Sequence, residues 1–156
     1  MTKKKNIALE ELLVYALLLD VGYSTDYDEY LNTLFLEMPD NELLLELQWC
    51  SSDTHETIIM IREFCYGCDV NYDVFGRFLF SKLEKIYRQD SIDIKTFGKK
   101  SYEIWTQLPE AIDLEEPFGI LNYAADPLSW GDEEQTRKLY EKVFRFYDNT
   151  PKELNL

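Results

Sequence analysis

Lysine and arginine are missing from residues 6–61 and again from residues 101–136. These two blocks hold twelve and nine of the chain's 30 acids, so the formal charge of −14 is concentrated rather than spread. Phosphate-backbone binding rests on basic side chains, and this balance opposes it. A nucleic-acid partner is therefore not expected. Long apolar runs are also missing: the longest, Leu12–Leu19, covers eight residues and stops at Asp20, whereas a bilayer crossing needs about 20. No membrane partner is expected either. Lys3–Lys5 before that run imitate the start of a signal peptide, but Glu10 and Glu11 interrupt the apolar part and no Ala-x-Ala site follows. The expected location is the cytoplasm, where three cysteines, an odd number, read as reduced thiols rather than a disulfide framework.

Glycine (6) and proline (5) are sparse and form no linker, so one helical domain over residues 1–156 is expected, with residues 1–6 as a disordered basic tail. An apolar fraction of 46% is enough for a core and excludes an intrinsically disordered chain.

Apolar spacing points to an all-α fold, a single compact bundle or irregular array of about six to seven helices. Phe75, Phe78, Leu79, Leu83, Ile86 and Tyr87 recur at three and four residues and share one helix face. The closing helix has Asp132 and Gln135 as a capping pattern, Leu139, Tyr140, Val143, Phe144 and Tyr147 as its stripe, and Asn149 with Pro151 as its stop. Glu134–Lys138 and Glu141–Arg145 are favourable i,i+4 pairs. Further helices are expected at 7–21, 26–37, 41–50, 54–66 and 95–108, with Asp26 and Asp53 as starting caps and Gly22 and Gly67 as stops. Thr57–Ile61 is β-branched enough to be a strand, but the cap before it and the glycine after it favour a helix. Pro117, Gly119, Pro127 and Gly131 break any period between 109 and 131, leaving a long loop or two short helices.

Catalytic motifs are absent: there is no Gly-x-Ser-x-Gly, P-loop, His-Glu-x-x-His or dinucleotide fingerprint. With a single histidine, acid–base chemistry would have to rest on carboxylates or tyrosines. Neighbouring acids such as Glu115 and Glu116 point about 100° apart on a helix and read as solvated face. Cys50, His55, Cys65 and Cys68 amount to a tetrahedral zinc set in number. His55 and Cys65, however, would lie about 15 Å apart along one helix. Core thiols and a surface histidine are the favoured reading, with no metal and no cofactor. Asp69-x-Asn71-x-Asp73 begins like a calcium loop, but Val74 and Phe80 stand where glycine and a bidentate glutamate are required.

The charge blocks remain as the informative feature, since acids without compensating bases mark interaction surfaces. Candidate partner-binding residues are Asp26, Tyr27, Asp28, Glu29, Tyr30, Glu37, Asp40, Glu42 and Glu46 in the first block, and Glu115, Glu116, Trp130 and Asp132 in the second. Tyrosines interleaved with acids between 23 and 30 offer contact area at low rotamer cost. The same spacing also allows Tyr27, Tyr30, Leu31, Leu34 and Phe35 to be the inward stripe of a helix.

A small, acidic, all-helical chain without catalytic motifs resembles the immunity proteins of bacterial polymorphic or contact-dependent toxin systems. The segment Tyr102-Glu-Ile-Trp-Thr-Gln-Leu-Pro-Glu-Ala-Ile112, Phe118…Tyr123 and the closing helix with Leu139-Tyr140 resemble the C-terminal part of an uncharacterised bacterial family encoded near such toxins. The resemblance covers the last third of the chain. It implies a specific inhibitor whose acidic face covers the basic catalytic or substrate-binding surface of a cognate toxin, often a nuclease, and it carries no site residues over. The expected function is accordingly a binding protein for a basic partner, not an enzyme. Two alternatives are a helical adaptor using exposed aromatics such as Trp130, and a carboxylate- or metal-dependent enzyme.

Overall fold

A computed structural model describes residues 7–89 and 91–149, and every regular element among them is helical. The α-helices are α1 (Leu9–Asp20), α2 (Tyr27–Glu37), α3 (Glu42–Trp49), α4 (Thr54–Cys65), α5 (Tyr72–Tyr87), α6 (Ile94–Thr106), α7 (Ile120–Tyr123) and α8 (Glu133–Arg145). Short 3-10 turns follow α7 at Asp126–Trp130 and α8 at Phe146–Asn149. The all-helical expectation holds, and the 109–131 stretch resolves into two short helical pieces. The Thr57–Ile61 strand alternative is overturned. Thr57, Ile58, Ile61 and Cys65 are buried while Ile59 is exposed, which is a helical period, and the Asp53 carboxylate accepts from Glu56 N at 3.1 Å to start α4. The basic tail at 1–6 and the stop at Pro151 lie outside the described residues.

The chain sorts into two compact units, Met1–Asn71 and Tyr72–Leu156. No Gly/Ser or Pro-rich stretch marks that division in the sequence. In the first unit α1 is buried on nearly all sides, through Leu12, Val14, Tyr15, Ala16, Leu17 and Leu18, and packs along α4. Gly22, in the left-handed region at φ 85°, ends α1. Tyr23 N bonds back to Leu18 O at 3.0 Å, so an otherwise orphaned carbonyl of the last turn is satisfied and Tyr23 turns into the core. α2 adds Tyr27 and Leu31 to this core, and α3 adds Leu44 and Leu47.

The second unit is built on aromatic rings. Phe97 of α6 meets Tyr140 of α8 edge-on at 4.9 Å, and Tyr87 of α5 lies 5.1 Å from Phe144. Two glycines permit close approach. A Cβ on Gly76 would run into the Tyr147 hydroxyl and come within 2.8 Å of the Phe118 ring, and one on Gly98 would meet Ala125 at 2.7 Å. The expected pairs Glu134–Lys138 and Glu141–Arg145 form on α8, at 3.2 and 3.8 Å.

Candidate protein-binding surface

The two units differ sharply in charge. Residues 1–71 hold fourteen acids against four Lys/Arg, and residues 72–156 hold sixteen against twelve. Over residues 7–71 the one base is Arg62, which lies 3.7 Å from Asp20. The acidic field is therefore a property of the first unit above all.

Within that unit α2 and α3 carry most of the candidate residues. Asn41 starts α3 by accepting from Leu44 N at 3.2 Å, and Leu44 and Leu47 pin the helix from inside. Glu42, Leu45, Glu46 and Trp49 then fall at i, i+3, i+4 and i+7 on its outer side. All four are exposed, with Trp49 at 87% and Leu45 at 45%. Asp28, Glu29, Glu37 and Asp40 are exposed on and after α2. Among the described residues, Asp28, Glu29, Asp40, Glu42 and Glu46 make no ion pair.

The tyrosines require a correction. Tyr27 is only 4% exposed and belongs to the core, and Tyr30 is half-buried with its hydroxyl inside. Both rings pack on Tyr15, at 5.6 and 4.8 Å between centroids, so Tyr27 is not a surface a partner can touch. Burial raises the pKa of all three hydroxyls above the ordinary value near 10. Asp26 is corrected as well. It stands at the start of α2 without capping it, and its Oδ1 instead accepts from the Tyr15 hydroxyl at 2.9 Å. Thr25 Oγ1, next to it, accepts from Tyr27 N at 3.2 Å.

The second block is more neutralised. Glu116 pairs with Lys142 at 3.3 Å, and Asp132 caps α8 by accepting from Gln135 N at 3.0 Å. Asp132 is thus occupied in a helix start, while Glu115 and Trp130, the latter 63% exposed, remain on the surface. Glu133, Glu134 and Glu141 of α8 each pair one turn on with Arg137, Lys138 and Arg145. Arg88 grips Glu141 with both terminal nitrogens, at 3.0 and 3.1 Å, and this bidentate bond holds the Glu141 carboxyl below its ordinary pKa. An open hollow of about 430 Å³ beside Arg77, Phe80, Glu84, Phe144 and Tyr147 holds none of the candidate residues.

Cys50, His55, Cys65 and Cys68 do not converge, and no group of three His, Cys, Asp or Glu among the described residues could hold a metal ion. Each thiol has its own carbonyl: Cys50 faces Leu47 O at 3.6 Å, Cys65 faces Leu9 O at 3.9 Å, and Cys68 faces Phe64 O at 3.6 Å. Burial pushes the Cys65 thiol up to about 11. His55 is exposed in the first turn of α4. Cys68 is exposed beyond Gly67, whose φ of 74° turns the chain out of the helix, so not every thiol is a core thiol.

Sequence reasoning missed Trp49, Leu45 and Leu36, the last 88% exposed. The signal was available in the composition of 43–49, Leu-Leu-Leu-Glu-Leu-Gln-Trp, which has more apolar residues than a two-turn helix can point inward. No family model matches the chain, and no curated protein or solved structure matches it either.

Proposed function

We propose that the chain is an acidic binding protein that neutralises a basic partner, acting in the cytoplasm as an immunity protein that covers the active or substrate-binding surface of a cognate bacterial toxin. It acts by association and not by catalysis. One observation carries this reading. Asp28, Glu29, Asp40, Glu42 and Glu46 are exposed and free of ion pairs among the described residues, in a unit whose described part holds a single base. A fold needing only solubility manages with a net charge of magnitude about 2–8 in mixed signs. Uncompensated like charges gathered in one unit cost self-repulsion, and a basic partner removes that cost while being steered toward it.

The experiment is to identify a basic toxin domain encoded by a neighbouring gene and co-express it with the chain, followed by size-exclusion chromatography of the purified pair. A stoichiometric complex and restored growth are expected. Continued toxicity without a complex at low salt overturns the reading. The adaptor alternative is favoured by one observation, the exposure of Trp130 and Leu114 in the second unit, and it predicts that Trp130→Ala removes binding while neutral variants of the first unit keep it.

A further inference from the structure

Three features of α3 are locally unfavourable, and they coincide. Glu42 and Glu46 are like charges at i,i+4 on one helix face, which destabilises an isolated helix. Glu46 also lies in the last turn, at the negative end of the helix dipole, where no basic residue compensates it. Trp49, the largest apolar side chain of the unit, stands 87% exposed one turn further along the same face, with Leu45 between. Folding alone gains nothing from this arrangement. A ligand that brings positive charge and an apolar recess relieves all three at once.

We propose that the outer face of α3, formed by Glu42, Leu45, Glu46 and Trp49, is the docking site for a basic partner that offers an apolar slot rimmed by Lys or Arg. This rests on the binding reading above and assigns it to one face. Trp49 is the anchor that fills the slot, Leu45 extends the apolar contact, and the two glutamates meet the cationic rim. Charge complementarity selects this occupant. A second copy would bring Glu42 and Glu46 against their own kind, and an anionic lipid surface would be repelled in the same way.

The test titrates the full ¹⁵N-labelled chain with a synthetic helical Leu/Lys peptide whose apolar stripe is bordered by lysines. Two controls replace its lysines by glutamates or its leucines by serines. Amide shifts concentrated in residues 42–49 are expected, together with a shift of the Trp49 indole N–H. The Trp105 indole, which donates to Asp113 O at 2.8 Å, should stay still. Trp49→Ala should weaken binding about tenfold or more, and Glu42→Gln/Glu46→Gln should flatten its salt dependence. Both control peptides should bind more weakly than the parent peptide. The thermal melt of Trp49→Ala should match the parent, because that side chain is exposed, and Glu42→Gln/Glu46→Gln should melt at or slightly above the parent, because the like-charge pair is gone. Shifts centred on another face, or unchanged affinity of the Trp49 variant, overturn the assignment while leaving the binding reading in place. Absence of any binding by the lysine-rimmed peptide counts against both. Equal binding of the glutamate-rimmed peptide, or a dimer strengthened by Glu42→Gln/Glu46→Gln, overturns the basic partner.

Discussion

The Tyr15 hydroxyl donates to Asp26 Oδ1 at 2.9 Å and so ties the middle of α1 to the residue from which α2 departs. Tyr15 is 1% exposed, and a buried hydroxyl deprived of its acceptor costs about 1–3 kcal/mol. Asp26→Ala is therefore expected to lower stability by about that amount in urea unfolding, whereas Asp26→Asn, which keeps an oxygen in place, loses less. Equal stability of Asp26→Ala and the parent would show that the bond does not hold the helices together.

The buried tyrosines make an alkaline limit. Tyr15, Tyr27, Tyr30 and Tyr140 have pKa values raised by burial from an ordinary value of 10.0, and that of Tyr147 is pushed up to about 12. Above pH 10 the unfolded chain releases these protons and the folded chain keeps them. Folding stability is thus complete below pH 10 and falls as pH rises beyond it. Tyrosinate absorbance from these buried rings and loss of far-ultraviolet circular dichroism should rise together in one transition. Early titration of all eleven tyrosines with the helices intact contradicts the burial of this cluster.

Thiol reactivity should follow exposure. Cys68 is exposed, Cys50 is half-buried, and Cys65 is buried with its pKa pushed up to about 11. A disulfide reagent at neutral pH is expected to modify Cys68 first and to reach Cys65 only on unfolding. Equal rates at the three sites contradict this order.

Gly76 tests the packing of the second unit. Alanine gains about 1 kcal/mol of helix propensity over glycine in a helix interior, yet its Cβ would collide with the Tyr147 hydroxyl and the Phe118 ring. Overpacking of this kind costs about 1–3 kcal/mol, so Gly76→Ala should be destabilising on balance. In a Tyr147→Phe background, which lacks the colliding hydroxyl, Gly76→Ala should cost less. A Gly76→Ala chain more stable than the parent shows that the site has room.

Local pattern carried most of the helical reading. The stripes of α5 and α8, the caps Asp53 and Asp132, and the left-handed Gly22, Gly67 and Gly131 are where their spacing places them. What escaped it depends on distant partners. Asp26 has a capping residue's position, but its carboxylate is claimed by a tyrosine eleven residues earlier, and no local rule anticipates that. Tyr27, by contrast, follows the inward stripe that its spacing allowed, and the ring of Tyr15 holds it there. Trp49 was hidden because a leucine-rich segment looks like core until it is known that only Leu44 and Leu47 of α3 are buried.

The central claim, that the acidic first unit steers a basic partner, is tested most directly by the association rate with the toxin domain as a function of salt. Between about 50 mM and about 500 mM the Debye length falls from about 14 Å to about 4 Å. A steep fall in association rate is expected over that range, with little change in dissociation rate and a flattened dependence for Asp28→Asn/Glu29→Gln/Glu42→Gln/Glu46→Gln. Asp26 is left intact in that variant because it supports Tyr15. An association rate that is the same at both salt concentrations, or unchanged in the neutral variant, would contradict the claim.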